Sequence, residues 1–582
     1  MEKEEDPDAP MSLHISSLPR RLLSKLDERL QLIIVAAVVG ITAGYASVLM
    51  NIGLDFFEHL LGPLRRYWYA PVFPACGAAL AIFFMRNLIK DPGDHGVPEM
   101  IYSISKRGGL LRFRSSFSHI IGCLLTLGSG GSAGPEAPVV ISGGSIGSNI
   151  ASTFYMNERQ RVQIVGCGAA AAIAAIFNAP MTGIAFALEA VLGEWTAINV
   201  VPIAIASVLG TEVSRALAGN QIPFQHRTFH VTNLDLTACL GLAVLTAVSS
   251  VILLRVLHSI NSKSAEWVPP PWLRAALGGG LVGGIGLLVP YVLGEGYPCI
   301  RSVIGAQYPS GLALAGVSAL AKILATALTL GSGGIGGIFA PCLVIGSLTG
   351  LFYQRGLTAL LPQLSWAGES YFGLLGMAGV TSSVLQAPMT GIFLIMEITG
   401  GYDVLVSVAL VSVLSATLSH FFEPFSIYHA ELIERGDLLR PRTDARVLSE
   451  LSVMELLERD CHVIHPEMRL GEFAHIIETS HRNYFPVEDS QNGRFMGMVH
   501  LDDIRPYLFD PGLYDSVLVE EIMNRNVDTV TPEDELPEIL HKFDETRSWS
   551  LPVVQNGRFL GLISKATLLD HYRKELMAQE VE

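Results

Sequence analysis

Long apolar runs, separated by short polar or glycine-rich stretches, fill the first three quarters of the chain. Leu30–Leu61 is long enough to span a bilayer with tilt, and Tyr69–Leu88 is a second candidate span. Several later apolar segments are too short to cross a bilayer alone, and many are rich in glycine and alanine, as close helix contacts in lipid require. We therefore predict a polytopic α-helical membrane protein in which short helices meet end to end inside a bundle.

One apolar region is interrupted by the stretch Thr126–Pro138, which reads TLGSGGSAGPEAP. At membrane depth, irregular backbone of this kind is tolerated only where protein or a water-filled cavity surrounds it. The stretch also carries one acid, Glu136, beside a predicted helix start. Because an ionisable residue inside a membrane domain marks a functional site by default, we predict such a site here.

The same phrase occurs twice in the apolar part. Thr329–Pro341 reads TLGSGGIGGIFAP, and the phrase APMTGI follows each copy, at Ala179–Ile184 and at Ala387–Ile392. Two ordered matches at near-equal spacing predict an internal duplication, with repeats over about 30–217 and 234–434. Glycine-interrupted segments at matching positions of two halves indicate a transport site. Two glycine-rich connecting loops without a function are the alternative.

The character of the chain changes near residue 434. We predict that 435–448 is a charged linker and that 449–509 and 518–577 are two similar α+β modules. In each module, a helical pattern (Leu470–Thr479 and Leu536–Thr546) precedes two strand-like runs with an Asn-Gly dipeptide between them. Asn-Gly between apolar alternations is a strong hairpin signal.

Charge separates the same two parts of the chain. The formal net charge of the chain is −15. Residues 434–582 carry 16 basic and 29 acidic side chains and therefore account for most of this charge, so the apolar part is nearly neutral. No basic stripe is present, which argues against nucleic acid as a partner. The seven cysteines form no CxxC pair and are interpreted as buried small side chains, so neither a disulfide framework nor a metal site is predicted.

Four basic residues precede the first apolar run: Arg20, Arg21, Lys25 and Arg29. By the positive-inside rule they predict that residues 1–29 form a cytoplasmic N-terminal segment. No cleavable signal peptide is expected, and the chain is predicted to be an integral, multi-pass membrane protein.

Four motifs resemble, in family order, those of the CLC family of chloride channels and proton-coupled chloride exchangers. They are GPEAP (Gly134–Pro138), FNAPMTGI (Phe177–Ile184), GIFAP (Gly337–Pro341) and SIY (Ser426–Tyr428). The two C-terminal modules look like a CBS-domain pair. The resemblance implies the inverted-repeat CLC architecture with a cytoplasmic tandem CBS module. It also implies a homodimer with one pore per subunit, and both termini on the cytoplasmic side of a prokaryotic-type inner or plasma membrane.

Helix N-termini suit a chloride site, because their unpaired backbone N–H groups and dipole attract an anion without a strong fixed charge that would hold it too tightly to leave. Glycine-rich turns run into apolar helices at 93–98, 128–138 and 331–341, and we predict that these three helix starts converge.

The resemblance assigns the central anion to particular donors. These are the N–H groups of Ile338 and Phe339 and the hydroxyl of Tyr428. For Tyr428, an interfacial tyrosine that anchors a helix is the alternative.

Glu136 matches the gating glutamate of the family. When ionised, its carboxylate would occupy an anion site and block it; when protonated or swung out, it would open the path. Depolarised potentials, external acid or high chloride are then expected to favour opening. The alternative is a structural acid at a helix N-terminus, where the dipole favours it.

Three residues depart from the family pattern. His95, in DHGVP, stands where a serine is usual; with Gly96 it is predicted to line the anion path, where protonation would add charge and pH sensitivity, and a packing-only histidine is the alternative. Pro135 stands in place of a basic residue before Glu136 and has no N–H to offer. Ala190 stands where exchangers commonly carry a second, internal glutamate, and alanine cannot relay a proton.

Ala190 favours passive conduction, so we predict a voltage-gated-type chloride channel that conducts small anions past a glutamate gate in each subunit. A chloride/proton antiporter of the same family is the alternative, with a water chain or His95 as the proton carrier. Glu189 and Glu397, which are symmetric in the repeat, are predicted to cap or pair at the cytoplasmic rim, and proton transfer is their alternative role.

CBS pairs commonly bind adenine nucleotides through a Ser or Thr and an Asp three residues later. The first module keeps the acid, Asp503, but has His500 in place of the hydroxyl. The second keeps the hydroxyl, Ser564, but has Thr567 in place of the acid. No cofactor is required, an adenine nucleotide is a possible ligand, and structural dimerisation is the alternative role.

Two further classes fit the sequence less well. An enzyme is not predicted, because a membrane metalloprotease would need HExxH or an equivalent ligand set and an ATP-driven pump would need GxxxxGK[ST]; neither motif occurs. A divalent-cation transporter would cluster acids in the apolar part, whereas Glu136, Glu189 and Glu397 are isolated from one another in sequence.

Overall fold

The computed structural model describes residues 27–90, 96–219, 229, 231–309, 311–399, 401–435, 451–534, 536–546 and 548–581. The predictions made for residues 1–26, for His95 and for most of the linker therefore lie outside the described residues. The chain forms two compact units, with the boundary after residue 437. Each unit is considered by itself.

The first unit is built of helices. In chain order they are α1 (Glu28–Leu61), α2 (Val72–Phe83), α3 (Gly96–Lys106), α4 (Ser115–Gly128), α5 (Glu136–Thr153), α6 (Glu158–Phe177), α7 (Pro180–Phe186), α8 (Ala197–Ala218), α9 (Asn233–Trp267), α10 (Pro271–Leu288), α11 (Tyr297–Ile304), α12 (Leu312–Gly331), α13 (Phe339–Leu360), α14 (Glu369–Leu385), α15 (Pro388–Thr399), α16 (Leu405–Phe422) and α17 (Ile427–Glu434). Helices α2 and α7 continue as π-helical turns, Phe84–Ile89 and Ala187–Leu192, and short 3-10 turns occupy Gly62–Arg66 and Pro290–Val292.

Eight helical segments in the described part are long and apolar enough to cross a membrane. Along α1, Ile34, Val38, Ile41 and Tyr45 are exposed at helical spacing, while the opposite face is buried in the bundle. An exposed apolar stripe of this kind suits a lipid-facing surface. Shorter apolar helices, including α4, α7 and α15, complete the unit. The predicted polytopic helical fold with short internal helices is confirmed.

The two halves are joined at the centre by their glycine-rich motifs. The N–H of Gly134 donates to the carbonyl of Gly337 over 2.7 Å, and the N–H of Gly337 donates to the carbonyl of Gly134 over 2.6 Å. This two-residue antiparallel bridge satisfies backbone groups that have no helical partner, which is obligatory away from water. The non-helical stretch of each apolar region therefore supplies the backbone hydrogen-bond partner that the other stretch needs.

Two threonines repeat this relation on either side of the bridge. The hydroxyl of Thr126 accepts from the N–H of Ile335 at 3.2 Å, and the hydroxyl of Thr329 accepts from the N–H of Ser132 at 3.0 Å. Each of these four residues lies 203 positions from its equivalent in the other half, as do Gly134 and Gly337. The contacts are thus two copies of one interaction, which is what a two-fold relation between the repeats requires.

Close helix crossings are also duplicated. A Cβ atom on Gly143 would lie 2.4 Å from the carbonyl oxygen of Gly168, where α5 crosses α6. A Cβ on Gly346 would lie 2.3 Å from the carbonyl oxygen of Gly376, where α13 crosses α14. Only glycine permits such an approach, and small residues are the usual means of packing helices in lipid.

The Gly346→Ala variant is expected to lose stability, because the new methyl group meets rigid backbone; overpacking of this kind costs about 1–3 kcal/mol. Gly356, on the same helix, has open space at its Cβ position, so Gly356→Ala is the matched control and should be neutral or slightly stabilising. Thermal unfolding of the detergent-solubilised protein distinguishes them. Equal melting temperatures for the two variants would contradict the crossing described above.

The second unit contains two α+β modules. Its elements are α18 (Leu470–Thr479), β1 (Tyr484–Glu488), β2 (Phe495–His500), α19 (Leu501–Leu508), α20 (Val519–Ile522), α21 (Leu536–Thr546), β3 (Ser550–Gln555), β4 (Arg558–Ser564) and α22 (Lys565–Val581), with a 3-10 turn at Pro511–Leu513. Strands β1 and β2 pair antiparallel, as do β3 and β4. The predicted hairpins and the two predicted helices are confirmed.

Each module has a core of its own. Phe473, Phe485 and Val499 are fully buried in the first, and Phe543 and Leu551 are buried in the second. In both, the helix that precedes the hairpin packs its apolar face onto the inward side of the strands. The α+β assignment of this unit is confirmed.

Candidate anion pathway

A cavity of about 760 Å³ lies at the starts of three helices. Gly96 of α3, Pro138 of α5, Ile338 before α13 and Tyr428 of α17 all contribute to its wall. The predicted convergence of three glycine-rich helix starts is therefore confirmed. This cavity is called the vestibule below. His95 lies outside the described residues, so its predicted role stays a prediction.

The start of α13 offers the donors that an anion needs. The first α-type bond of the helix runs from the N–H of Cys342 to the carbonyl of Ile338, so the N–H groups of Ile338, Phe339 and Ala340 have no acceptor within the helix. The Phe339 ring packs against Phe177, with ring centroids 5.2 Å apart, and this contact fixes the first turn. Unpaired N–H groups and the helix dipole together favour a small anion here.

Glu136 is only 1% exposed, and its carboxylate lies at the start of α13. Tyr297 donates its hydroxyl to Oε1 over 3.2 Å, and the N–H of Ala340 is close enough to stabilise the ionised carboxylate. A Cβ on Gly134 would lie 2.0 Å from Oε2, so only glycine leaves room for the carboxylate in this position. Oε2 itself has no hydrogen-bond partner among the described residues. The carboxylate thus lies where a free anion would meet the same helix end.

Tyr428 is positioned by the helix that it begins. Ser426 caps α17, and its side chain accepts from the N–H of His429. Tyr428 is 6% exposed, lines the vestibule, and is near enough to Glu136 for their charges to interact. The structure thus brings together four of the residues predicted for the anion path, namely Gly96, Ile338, Phe339 and Tyr428, with the predicted gate.

The two symmetric glutamates cap helices of the opposite repeat. The Glu189 carboxylate accepts from the N–H and the hydroxyl of Thr390, each at 2.8 Å, and from the N–H of the residue before it. Glu397 makes the same three contacts with Thr182 and its preceding residue. This geometry agrees with the capping interpretation. Ala190, next to Glu189, is buried in the π-helical turn.

Three residues near the gate escaped the sequence analysis: Glu295, Tyr297 and Lys322. Lys322 lies in the middle of α12 and is fully buried. A lone lysine in a membrane-length apolar helix is itself a functional-site signal, and that signal was present in the sequence.

In the second unit, the hydroxyl of Ser564 donates to the carboxylate of Glu458 at 2.6 Å. Thr567 and Arg482 contact the same carboxylate. Burial raises the pKa of Glu458, but the hydrogen bonds from Ser564 and Thr567 and the charge of Arg482 outweigh it, so the pKa lies below its usual range. Both polar residues predicted at the second nucleotide position are therefore engaged by an acid of the chain. Asp503 of the first module is exposed.

Because the pKa of Glu458 is lowered on folding, its contacts contribute stability above the usual value of 4.5, and this contribution is lost as the pH falls through the depressed pKa. Glu458→Gln should raise hydrogen exchange of the β4 amides several-fold at neutral pH and have little effect in acid. Exchange of the full-length protein, corrected for intrinsic rates, measures this. Glu520→Gln, an exposed acid of the same unit, is the control. Equal exchange in both variants would contradict the assignment.

The fold and this site define a class: a helical membrane transport protein with two inverted halves whose broken helices direct their N-termini at an ion path. The chain belongs to the voltage gated chloride channel (CLC) family, whose family model matches residues 76–420. CBS domains match residues 453–510 and 519–574. The predicted family, architecture and CBS pair are confirmed.

Relatives and solved structures agree with this assignment. A putative chloride channel protein ClcB-like of Ralstonia nicotianae is 29% identical over 64% of this chain and 88% of its own. An H(+)/Cl(-) exchange transporter ClcA of Yersinia pestis is 26% identical over 75% and 94%. A slow cyanobacterial Cl-/H+ antiporter (TM-score 0.63, 22% identity, 72% and 100% covered) and a eukaryotic CLC transporter (0.61, 18%, 94% and 98%) share the fold.

Proposed function

We propose that this protein exchanges chloride for protons across the membrane, with Glu136 as the group that both ions use. The observation that carries the proposal is the buried carboxylate of Glu136 at the start of α13, where it takes the place of an anion. Relatives named as proton/chloride exchange transporters support it. The relatives favour the alternative stated above over the channel that Ala190 suggested, whereas the buried carboxylate is compatible with either.

In this geometry, protonation of Glu136 and chloride binding at the start of α13 are coupled. While the carboxylate is ionised, it is stabilised by the N–H of Ala340 at the start of α13, and chloride is excluded by charge and by space. When Glu136 takes up a proton, that attraction is lost, the side chain moves away and chloride enters the same donors. The anion then reaches the vestibule past Tyr428. Protonation of Glu136 therefore replaces its carboxylate by chloride at this site, and loss of the proton reverses the replacement.

Because position 190 is alanine, this chain lacks the glutamate that could carry the proton on the vestibule side. The vestibule offers a second route, because Ala137 and Pro138, in the first turn of α5, line it, so water in the vestibule comes within one helical turn of Glu136. His119 lines the same cavity and is a titratable group on that route. Proton transfer through water needs no glutamate at position 190.

A chloride channel is the second candidate, and the observation that favours it is Ala190. Reversal potential in liposomes of purified protein, under opposed chloride and pH gradients, separates the two. Exchange predicts a reversal potential that moves with the pH gradient at a fixed chloride gradient. A reversal at the chloride equilibrium potential, unmoved by pH, would establish a channel.

The Glu136→Gln variant should still carry chloride but lose both proton coupling and activation by acid, because the amide is a permanently neutral side chain of nearly the same shape. Chloride efflux and proton uptake, measured on the same liposomes, test this. Glu99→Gln, an acid in α3 paired with Arg107 outside the gate, is the control and should retain coupling. Acid activation that persists in Glu136→Gln would mean that the gate is another group.

We propose a homodimer in a bacterial plasma membrane, with both termini cytoplasmic, that acts in transport and not in catalysis. An adenine nucleotide is proposed at the first CBS module only, beside Asp503, because Glu458 engages Ser564 in the second. Titration of the full-length protein with ATP tests this: binding should survive Ser564→Ala and be weakened by Asp503→Ala.

A further inference from the structure

The buried lysine of α12 has an unusual environment. Lys322 is fully buried, and its ammonium donates to the carbonyl of Val292 at 3.0 Å and to that of Gly294 at 2.9 Å. No carboxylate lies within ion-pairing distance of it in the part of the chain that the structure describes. A buried charge without a close counter-ion is costly, so its long-range interactions matter.

The backbone that receives these bonds is a tight turn. Gly294 and Gly296 both have positive φ, of 61° and 86°. A Cβ on Gly296 would lie 2.7 Å from Val344 and 3.4 Å from the Lys322 nitrogen, so the turn fits only as glycine. Lys322 therefore holds the turn that ends in Tyr297, and the Tyr297 hydroxyl donates to Glu136.

The repeat shows what this turn corresponds to. Gly296 and Pro298 lie 200 positions after Gly96 and Pro98, which begin α3 at the vestibule. Lys322 lies 203 positions after His119, which also lines the vestibule. Residues 292–297 do not line the vestibule. The Val292–Tyr297 turn and Lys322 are thus the equivalents, in the second repeat, of the α3 start and His119, which line the vestibule in the first. Because the repeats are inverted, the equivalent residues are expected at the opposite end of the pathway.

Several ionisable groups face Lys322 and Glu136 from the surrounding elements. Glu295, Glu136 and Cys299 interact with the lysine charge. Asp55 and Glu58 of α1 interact with Glu295, and Arg301 interacts with Tyr297. Lys322 is the fully buried cation of this group, and it interacts with the gate and with Glu295.

We propose that Lys322 is a positioning residue for the gate: it fixes the Val292–Tyr297 turn against Glu136 and stabilises the ionised, closed carboxylate, so that it sets the external pH at which the gate opens. This inference rests on the proposed role of Glu136. It also provides the positive charge that Pro135 does not supply beside the gate.

The test is chloride efflux from liposomes of the full-length protein as a function of external pH. Lys322→Met removes the charge and keeps most of the volume. It should move the midpoint of acid activation to higher pH, because ionised Glu136 loses its stabilising charge. The expected shift is roughly one pH unit, the size typical of two unit charges that interact in a protein interior without contact. Lys263→Met, at an exposed site on α9, should not shift it.

A second variant, which removes a negative charge instead of a positive one, keeps the proposal testable if Lys322→Met does not fold. Glu295→Gln removes a negative charge near the gate and should move the midpoint to lower pH. Shifts of opposite direction for the two variants support the proposal. An unmoved midpoint in folded Lys322→Met, or a shift of Glu295→Gln to higher pH, would overturn it.

A double variant separates this inference from the proposed function. In the Glu136→Gln background, Lys322→Met should change nothing in the pH profile, because the titrating group is gone. A shift that persists there would show that Lys322 acts elsewhere, and the inference fails. If Glu136→Gln alone keeps its acid activation, the proposed gate fails instead.

Discussion

The paired hydrogen bonds between Gly134 and Gly337 are the contact on which the membrane unit depends. They lie where both apolar regions lose helical structure, and each motif supplies the partner that the other needs. Without this pairing, two stretches of unsatisfied backbone would be buried at membrane depth, which costs several kcal/mol per group. With it, α5 and α13 begin close together and direct their N-termini into one region.

The chemistry of the site follows from that geometry. An anion is attracted by partial charges at helix ends and not by a cation at contact distance, so it binds and leaves. The same helix end stabilises the carboxylate of Glu136, the first residue of α5, through the N–H of Ala340. A gate of this kind needs only one side chain that competes with the ion. Lys322, which is buried and does not line the vestibule, adds charge without an ion pair to Glu136, and such a charge can tune the gate without trapping the ion.

The two C-terminal modules share a fold but differ in the polar contacts at their predicted nucleotide positions. Both hairpins, both preceding helices and both cores are alike. In the second module, however, Ser564 and Thr567 are engaged by Glu458, which belongs to the sequence of the first module, whereas Asp503 in the first module is exposed. A single acid and its neighbour Arg482 therefore make two similar surfaces chemically different.

Much of the architecture was determined by the sequence itself. The duplicated phrases, the Asn-Gly hairpins and the helices of the second unit could be predicted because they depend on local periodicity and on turn residues with special backbone conformations. Glu136, Ile338, Phe339 and Tyr428 could be named because they occur in contiguous motifs. Which carboxylate caps which helix, and that Glu189 and Glu397 each cross to the opposite repeat, were decided only by tertiary structure. The same holds for Lys322, Glu295 and Tyr297: they are separated along the chain from Glu136, and the α12 helix and the glycine turn had to fold before their charges met. Local pattern fixes where helices begin, whereas long-range packing decides which charges they bring together.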